Sequence, residues 1–197
     1  MASGGVRRGD VVLDCGAYVG TTARQALRAG ASLVIALEPM PQARECLQRN
    51  LREEIGAGRV IVLAIALWDQ QRILTFELAR ENPSGSRVIP DSSGAAQTLE
   101  VQATTIDQLV TQLKLERVDF IKMDIEGAES RALLGAQGAL HRWRPRMAIA
   151  AYHQAHDAEE ITATARRAVP GYAVNSRYCL VRDRWTGPLT PQVVLFS

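Results

Sequence analysis

The sequence has few of the features that mark a secreted, membrane-bound or metal-stapled protein. Its three cysteines, Cys15, Cys46 and Cys179, are odd in number and share no metal-binding or redox spacing. We therefore expect reduced thiols and a cytoplasmic location. The first apolar run, residues 11–13, is far too short for a signal peptide or a membrane span. We expect no contact with a membrane.

An excess of charge of either sign is missing too. Lysine plus arginine total 23 and aspartate plus glutamate total 21, for a formal net charge of +2. Composition therefore does not require a polyanionic partner, and a nucleic acid is not expected as the main one. Lysine is especially scarce, since Lys114 and Lys122 are the only two in the chain.

What the sequence does contain is a regular alternation of apolar, strand-like runs with helical stretches. With 197 residues, 47% of them hydrophobic, the chain can bury one full core, and we predict a single domain over residues 1–197. Such alternation implies right-handed crossovers and a mostly parallel α/β sheet flanked by helices. The predicted strands are residues 11–14, 33–38, 59–67, 118–124, 146–153, 178–183 and 192–197, with helices over 21–29 and 41–54.

Residues 70–103 interrupt this alternation. The stretches ILTFEL and TLEVQAT predict a pair of antiparallel strands inserted into the α/β pattern. Between them lies ENPSGSRVIPDSSGAAQ, whose glycines, prolines and serines predict an exposed loop. We expect residues 81–97 of this loop to form a mobile lid over the site.

The first predicted strand ends in LDCGAYVGTT, which places Asp14, Gly16, Gly20 and Thr21 at the start of a helix. The spacing D-x-G-x-x-x-G differs from the G-x-G-x-x-G of a dinucleotide-binding loop. Glycines let the backbone approach a ligand closely, and the acid suits a cationic or zwitterionic ligand better than a pyrophosphate. A tight strand-to-helix turn without a ligand is the structural alternative.

The second predicted strand ends in Glu38, which lies 22 residues after Gly16. This is close to the roughly 20-residue offset at which an acid binds ribose hydroxyls in nucleotide-binding sheets. A nucleoside cofactor without a pyrophosphate is indicated, and S-adenosylmethionine fits. The predicted cofactor site comprises Asp14, Gly16, Ala17, Tyr18, Gly20, Thr21, Glu38, Pro39, Met40, Ala66, Leu67 and Asp124.

Three stretches resemble the FkbM family of class I S-adenosylmethionine-dependent methyltransferases: LDCGAYVGTT, VQATTIDQLV and above all VDFIKMDIEGAE. The resemblance extends from about residue 10 to the end. It implies a Rossmann-like, mostly parallel seven-stranded sheet and O-methylation of a small metabolite, sugar or polyketide-type hydroxyl. Two departures are visible. Family members usually carry a longer segment before the first strand, and the fifth strand ends in AAYHQ where an acid is common.

The stretch FIKMDIEGAE closes the fourth predicted strand of the sheet with three acids and a glycine. Strand alternation places Lys122 and Asp124 on one face, so we expect them to pair, because an unpaired buried ammonium is costly. Asp124 and Glu126 are predicted to face the site. Glu129 falls in the first turn of the next helix, where an acid favours the helix dipole.

Methyl transfer to a hydroxyl needs an aligned acceptor and benefits from a base. The candidate catalytic residues are Asp124, His153, Glu126 and Lys122, although His153 would also suit a purely structural hydrogen bond. His153 and His156 could hold a divalent ion with Asp124, but a third ligand is not evident. No metal ligand is predicted.

Two other functions remain open from the sequence. The basic and aromatic stretch HRWRPR, residues 141–146, would suit an RNA acceptor, so a macromolecular RNA or protein methyltransferase is one alternative. The other is a non-catalytic module that binds S-adenosylmethionine. The expected partner is a small hydroxyl-bearing molecule, and a homodimer is compatible with the sequence.

Overall fold

A computed structural model of the protein describes residues 5–78, 87–88, 97–178 and 191–197. Most of the predicted lid, most of the strand predicted over 178–183, and Cys179 lie outside the described residues. The described elements, in chain order, are β1 (Val11–Cys15), α1 (Thr21–Arg28), β2 (Leu33–Leu37), α2 (Pro41–Asn50), α3 (Arg52–Gly56), β3 (Val60–Leu63), β4 (Ala66–Leu67), β5 (Arg72–Glu77), β6 (Arg87–Val88), β7 (Thr98–Thr104), α4 (Ile106–Gln112), β8 (Phe120–Met123), α5 (Glu129–Leu134), α6 (Gln137–Trp143), β9 (Arg146–Ala150), α7 (Asp157–Ala168), β10 (Val174–Tyr178) and β11 (Pro191–Phe196).

Seven strands form one large sheet in the spatial order β10-β11-β9-β8-β1-β2-β3. The five strands from β9 to β3 run parallel, whereas β11 is antiparallel to both β9 and β10. Along the chain, strands are added first on one side of β1, as β2 and β3, and later on its other side, as β8 and β9. The direction in which strands are added therefore reverses between β1 and β8. This is the mostly parallel, seven-stranded α/β sheet that the sequence predicts.

The large sheet is buried on both faces, which explains the nearly continuous apolar character of its central strands. Val12 and Leu13 are neighbours in β1 and both have no exposed surface, yet they belong to different hydrophobic clusters. Helix α1 contributes Ala23, Ala26 and Leu27 to the cluster that contains Val12. Successive side chains of a strand point to opposite faces of the sheet, and helices cover both faces. The sheet therefore separates two hydrophobic cores.

A smaller four-stranded sheet has the order β4-β7-β5-β6. Strands β5 and β7 are antiparallel, whereas β4 is parallel to β7. The segment 59–67, predicted as one strand, is therefore divided between the two sheets. Its pairing with β2 ends at Leu63, opposite Leu37, and Ala66 and Leu67 pair instead with β7.

Three chemically important residues lie just beyond the strands that were predicted to contain them. Glu38, Asp124 and His153 follow the last residues of β2, β8 and β9. All three strands are parallel, so these residues lie at the same carboxyl edge of the sheet, where ligands bind in this architecture. Among the described residues, no helix combines the length and apolar character that a membrane crossing requires.

Candidate active site

A cavity of about 370 Å³ lies at the carboxyl edge of β1, β2 and β8. Its size is within the range of small-molecule and cofactor sites. Of the predicted cofactor-binding residues, those that line it are Gly16, Ala17, Tyr18, Thr21, Glu38, Pro39, Met40, Ala66, Leu67 and Asp124. The predicted catalytic residues Lys122 and Glu126 also line it. His153 is not one of the lining residues, but its Nε2 lies 3.1 Å from Oδ1 of the lining residue Asp124.

The loop after β1 approaches the end of β8 so closely that only glycine fits at residue 16. Gly16 has a φ of +77°, and a Cβ atom there would lie 1.9 Å from the carbonyl oxygen of Asp124. The amides of Gly16 and Ala17 both donate to the carbonyl of Leu37, at 3.0 Å each. The loop is thus held between β8 and β2 with its backbone against the cavity.

Gly20 was predicted to bind the cofactor, but it does not line the cavity. It precedes α1 with a φ of +87°, and a Cβ there would lie 2.9 Å from Cδ1 of Leu51. Its lack of a side chain lets α1 start beneath α2, so the structure gives this glycine a packing role.

Glu38 is buried next to the cavity, and its carboxylate is fixed by backbone donors. Oε1 accepts a hydrogen bond from the Met40 amide and Oε2 accepts one from the Tyr18 amide, both at 2.8 Å. Burial raises the pKa of Glu38, although these two hydrogen bonds and the charges of Lys122 and Arg44 oppose the shift. Each oxygen retains a lone pair that can accept a hydrogen bond from a ligand.

The partner of Lys122 is Asp14, and the predicted pairing with Asp124 is wrong. Lys122 Nζ donates to the carbonyl of Gly16 at 2.6 Å and lies 3.4 Å from Asp14 Oδ1. Asp14 and Lys122 are register partners on adjacent strands, which places their side chains side by side. Asp14 is fully buried behind the loop, so it compensates the charge of Lys122 instead of lining the cavity.

Asp124, which follows β8 and lines the cavity, is the centre of a polar cluster. Its Oδ1 accepts a hydrogen bond from the Tyr152 hydroxyl at 2.9 Å and lies 3.1 Å from Nε2 of His153. The other ring nitrogen of His153, Nδ1, lies 3.4 Å from Oε2 of Glu126. The predicted catalytic residues Asp124, Glu126 and His153 are therefore brought into one contiguous group.

The electrostatics of this group favour an ionised Asp124 beside a protonated His153. Burial alone would raise the pKa of Asp124. Its pKa is nevertheless below the usual value, because of the hydrogen bond with His153, the positive charge of Lys122 and the hydrogen bond from the Tyr152 hydroxyl. Burial alone would lower the pKa of His153, but the hydrogen bond to Asp124 and the charges of Glu129 and Glu126 raise it. Opposite charges thus stabilise each other across the pair.

Glu129 also belongs to this group, although the sequence predicted only that it stabilises the start of a helix. It is the first residue of α5, as expected, but only 1% of it is exposed and it faces His153. Oε1 accepts a hydrogen bond from the Ile125 amide at 2.7 Å and lies 3.5 Å from Nε2 of His153. His156, by contrast, is exposed and lies 3.8 Å from Glu159, away from the cluster.

Two kinds of residue in the cavity wall were missed. Tyr152 precedes His153 in the stretch AAYHQ, so its position beside the predicted base was a usable signal. Phe76 belongs to the smaller sheet and reaches the cavity through the packing of that sheet, which no local pattern indicates, whereas Val88 lies within residues 81–97, the segment expected to cover the site. The remaining lining residues outside the prediction are Cys15, Thr22, Leu37, Ile65, Ile125 and Ala128.

The basic and aromatic stretch at residues 141–146 is divided by the fold. Arg142 stacks over Trp143, which packs partly against the main core. Arg146 turns inward, where its Nη2 lies 2.6 Å from Oδ2 of the buried Asp10. The stretch therefore does not present one continuous basic surface.

Comparison with known proteins identifies relatives of this chain. The AMB antimetabolite synthetase AmbE of Pseudomonas aeruginosa is 29% identical in an alignment of 165 positions, and the match covers 66% of this chain and 8% of that protein. The crystal structure of a methyltransferase FkbM from Methylobacillus flagellatus KT has a TM-score of 0.73 and 25% identity. The match covers 99% of this chain and 46% of that one, so this chain spans less than half of either relative.

A more distant likeness concerns the fold. The fibrillarin of Aeropyrum pernix, solved with natively bound S-adenosyl-L-methionine, has a TM-score of 0.56 at 16% identity. That match covers 96% of this chain and 66% of fibrillarin. It supports the predicted Rossmann-like class I methyltransferase fold.

The family itself is given by a family model described as the methyltransferase FkbM domain, which matches residues 14–170. This range covers most of the chain and contains the three stretches on which the sequence-based resemblance depends, except for the first residue of LDCGAYVGTT. The predicted family and fold are confirmed, and S-adenosylmethionine is confirmed as the cofactor of this class of protein. The chain belongs to the FkbM family of methyltransferases.

Proposed function

We propose that this chain is a methyltransferase that uses S-adenosylmethionine to methylate a hydroxyl group of a small molecule. The observation that carries the proposal is the division of the cavity wall. Glu38 follows β2 on one side of the Gly16 loop, and Asp124, which Tyr152 and His153 contact, follows β8 on the other side. One side suits a nucleoside donor, and the other suits an acceptor that must lose a proton.

The donor side fits S-adenosylmethionine by its shape and its acceptors. Glu38 would accept hydrogen bonds from the ribose hydroxyls, since each of its oxygens keeps a free lone pair. Pro39, Met40 and Leu67 give an apolar surface beside it for the adenine. The Gly16 backbone borders this side of the cavity, and it can lie this close to Asp124 only because Gly16 has no Cβ.

The acceptor side is suited to removing a proton as the new bond forms. S-adenosylmethionine, when bound, supplies a methyl group already activated by its sulfonium. Asp124 faces the cavity with its side chain 36% exposed, so an acceptor hydroxyl can reach it. Its carboxylate takes the hydroxyl proton while the oxygen forms its bond to the methyl carbon and the carbon–sulfur bond breaks. The Tyr152 hydroxyl and His153 hold the carboxylate in place through Oδ1, and Glu126 orients the His153 ring from its other nitrogen.

A small-molecule acceptor is favoured over a macromolecule by two observations. The only stretch that suggested an RNA surface is divided, with Arg146 in an internal ion pair with Asp10. The relative from Pseudomonas aeruginosa is named as an antimetabolite synthetase, and an antimetabolite is a small molecule.

The test is a search for a methylated product. The protein is incubated with S-adenosylmethionine labelled in its methyl group and with fractionated small-molecule extracts, and labelled products are identified by mass spectrometry. We expect an O-methylated small molecule that fails to form with the Asp124→Asn variant. Label found only in RNA or protein would contradict the proposed acceptor. Binding of S-adenosylmethionine without turnover on any acceptor would favour the non-catalytic alternative.

A further inference from the structure

We propose that Asp124, Glu129 and His153 form a binding site for one divalent transition-metal ion at the acceptor side of the cavity. One potential ligand atom from each residue lies within 4.8 Å of the other two. His153 Nε2 is 3.1 Å from Asp124 Oδ1 and 3.5 Å from Glu129 Oε1. Ligands about 2.0–2.2 Å from a metal are separated by about 3.0–3.5 Å when adjacent, so both carboxylate oxygens already lie at this spacing from the imidazole nitrogen.

Glu129 gives an independent reason to expect a cation here. Its side chain is 1% exposed, and the buried oxygen Oε2 has no hydrogen-bond partner within the described part of the chain. A buried carboxylate is costly unless it is paired with a charge or coordinates a metal. The Ile125 amide fixes Oε1 toward His153, so the carboxylate is oriented before any ion binds.

The imidazole of His153 is also held in the orientation that a metal ligand needs. Its Nδ1 faces Oε2 of Glu126 at 3.4 Å, which leaves Nε2 directed at Asp124 and Glu129. Its backbone amide donates to Oδ2 of Asp157 at 2.8 Å, which anchors the loop. Metal-binding histidines commonly contact a carboxylate through the other ring nitrogen, as His153 does here.

The charge of the cluster also favours a bound cation. Three carboxylates, those of Asp124, Glu126 and Glu129, surround one imidazole, and Lys122 is already engaged by Asp14 and Gly16. The cluster therefore keeps an excess of negative charge even when His153 is protonated. A dication that replaces the His153 proton would reduce that excess.

The ligand set indicates which ions would bind. One imidazole and two carboxylates suit Mn²⁺, Fe²⁺, Co²⁺ or Zn²⁺ better than Ca²⁺ or Mg²⁺, which prefer oxygen ligands alone. Three protein ligands leave open positions, and Asp124 borders the cavity. An acceptor hydroxyl bound at an open position would lose its proton more readily. This last role rests on the proposed function, whereas metal binding does not.

The test measures metal binding without cofactor or acceptor. Protein freed of metal with a chelator is titrated with Mn²⁺, followed by the electron paramagnetic resonance of the free ion, and with Co²⁺, followed by its visible absorption. We expect one ion per chain and a loss of affinity of tenfold or more in Glu129→Gln and His153→Ala. Circular dichroism and melting temperature check that both variants fold. The control is Glu159→Gln, beside the exposed His156, which should bind as the wild type does.

Two outcomes would overturn the site. One is no saturable binding of either ion by the folded wild type, which would mean that His153 and the carboxylates share only a proton. The other is unchanged binding in Glu129→Gln and His153→Ala. If one ion binds and both variants lose it, the site stands whether or not a methylated product is ever found. A methylated product formed by chain that binds no metal would keep the proposed function and remove the metal site.

Discussion

Lys122 Nζ lies 2.6 Å from the carbonyl oxygen of Gly16, so the ammonium at the end of β8 closes the glycine loop that follows β1. The same nitrogen lies 3.4 Å from Oδ1 of the fully buried Asp14. One side chain therefore serves two purposes: it compensates a carboxylate in the core and fixes the backbone that borders the cavity. Neither purpose requires Lys122 to touch the substrate.

Lys122→Met should destabilise the fold by about 3–5 kcal/mol, because it leaves the carboxylate of Asp14 buried without its counter-charge. The measurement is urea unfolding at neutral pH. Lys114→Met is the matched control, since Lys114 is the other lysine of the chain and is exposed. The double variant Lys122→Met with Asp14→Asn should recover part of the loss. Equal stability of Lys122→Met and wild type would contradict the ion pair.

Gly16→Ala should abolish cofactor binding, because the new Cβ would lie 1.9 Å from the Asp124 carbonyl oxygen. Gly58→Ala separates this clash from backbone strain. Gly58 also has a left-handed φ, +70°, but a Cβ there meets no atom within 4 Å. We expect Gly58→Ala to lose about 1–2 kcal/mol of stability and to bind normally. Calorimetry with S-adenosylmethionine compares the two, and equal binding would show that the loop can move.

Cofactor affinity should fall as the pH is lowered from neutral toward 4.5, the ordinary pKa of a glutamate side chain. Burial raises the pKa of Glu38 in the free protein, with Lys122 and Arg44 opposing the shift. Ribose hydroxyls donate to the ionised carboxylate, so binding lowers this pKa and acid therefore weakens binding. Glu38→Gln should bind more weakly and lose this pH dependence.

Glu38→Ala tests the same contact at one pH. We expect cofactor affinity to drop by about 1.5–3 kcal/mol, the range for a hydrogen bond to a charged group. Isothermal titration calorimetry at neutral pH, with the product S-adenosylhomocysteine as a second ligand, gives the value. An unchanged affinity in a folded variant would remove Glu38 from the ribose site, as would tighter binding of NAD.

Asp124→Asn should lower the rate of methyl transfer by about 10²–10⁴-fold, the usual cost of losing a general base. Cofactor affinity should change much less, because Glu38 and the Gly16 loop hold the donor elsewhere in the cavity. Single-turnover rates and melting temperatures are measured on the same preparation. A fully active variant would transfer the role of base to His153.

Cys15 should be unreactive in the folded protein, because burial raises the pKa of its thiol far above the usual value. Cys46 is exposed. In a Cys179→Ser background, intact-mass analysis after treatment with a thiol reagent should show one label per native chain, on Cys46, and two after unfolding. Labelling of Cys15 in the native state would contradict the packing of β1.

The sequence predicts the cavity well where strand ends decide it. Gly16, Glu38 and Asp124 follow three parallel strands, and parallel strands place such residues at one edge without any knowledge of side-chain packing. It predicts poorly what depends on register. Asp14 meets Lys122 only because β1 and β8 pair with these two residues side by side, which neither strand encodes alone.

Glu129 shows the same limit at a helix. Its place in the first turn of α5 is readable from the sequence, and the dipole explains an acid there. The direction of the Glu129 side chain depends on how α5 packs against the segment that contains His153. The two residues are in contact although they are 24 residues apart in the sequence. Phe76 likewise reaches the cavity through the smaller sheet, whose docking no local pattern reveals.

The departure of β4 from the large sheet has an evolutionary consequence. Ala66 and Leu67 belong to the smaller sheet, and the same sheet supplies Phe76 and Val88 to the cavity wall, where Phe76 packs with Met40 and Ala66. The hydrogen bonds that fix Glu38 and the Gly16 loop come from the segments that follow β1 and β2 and do not involve that sheet. Insertions or recombination within residues 70–103 can therefore reshape the apolar wall beside Met40 while these polar contacts are inherited intact. Relatives that share Gly16 and Glu38 but differ in this segment should differ in the apolar groups that they admit there.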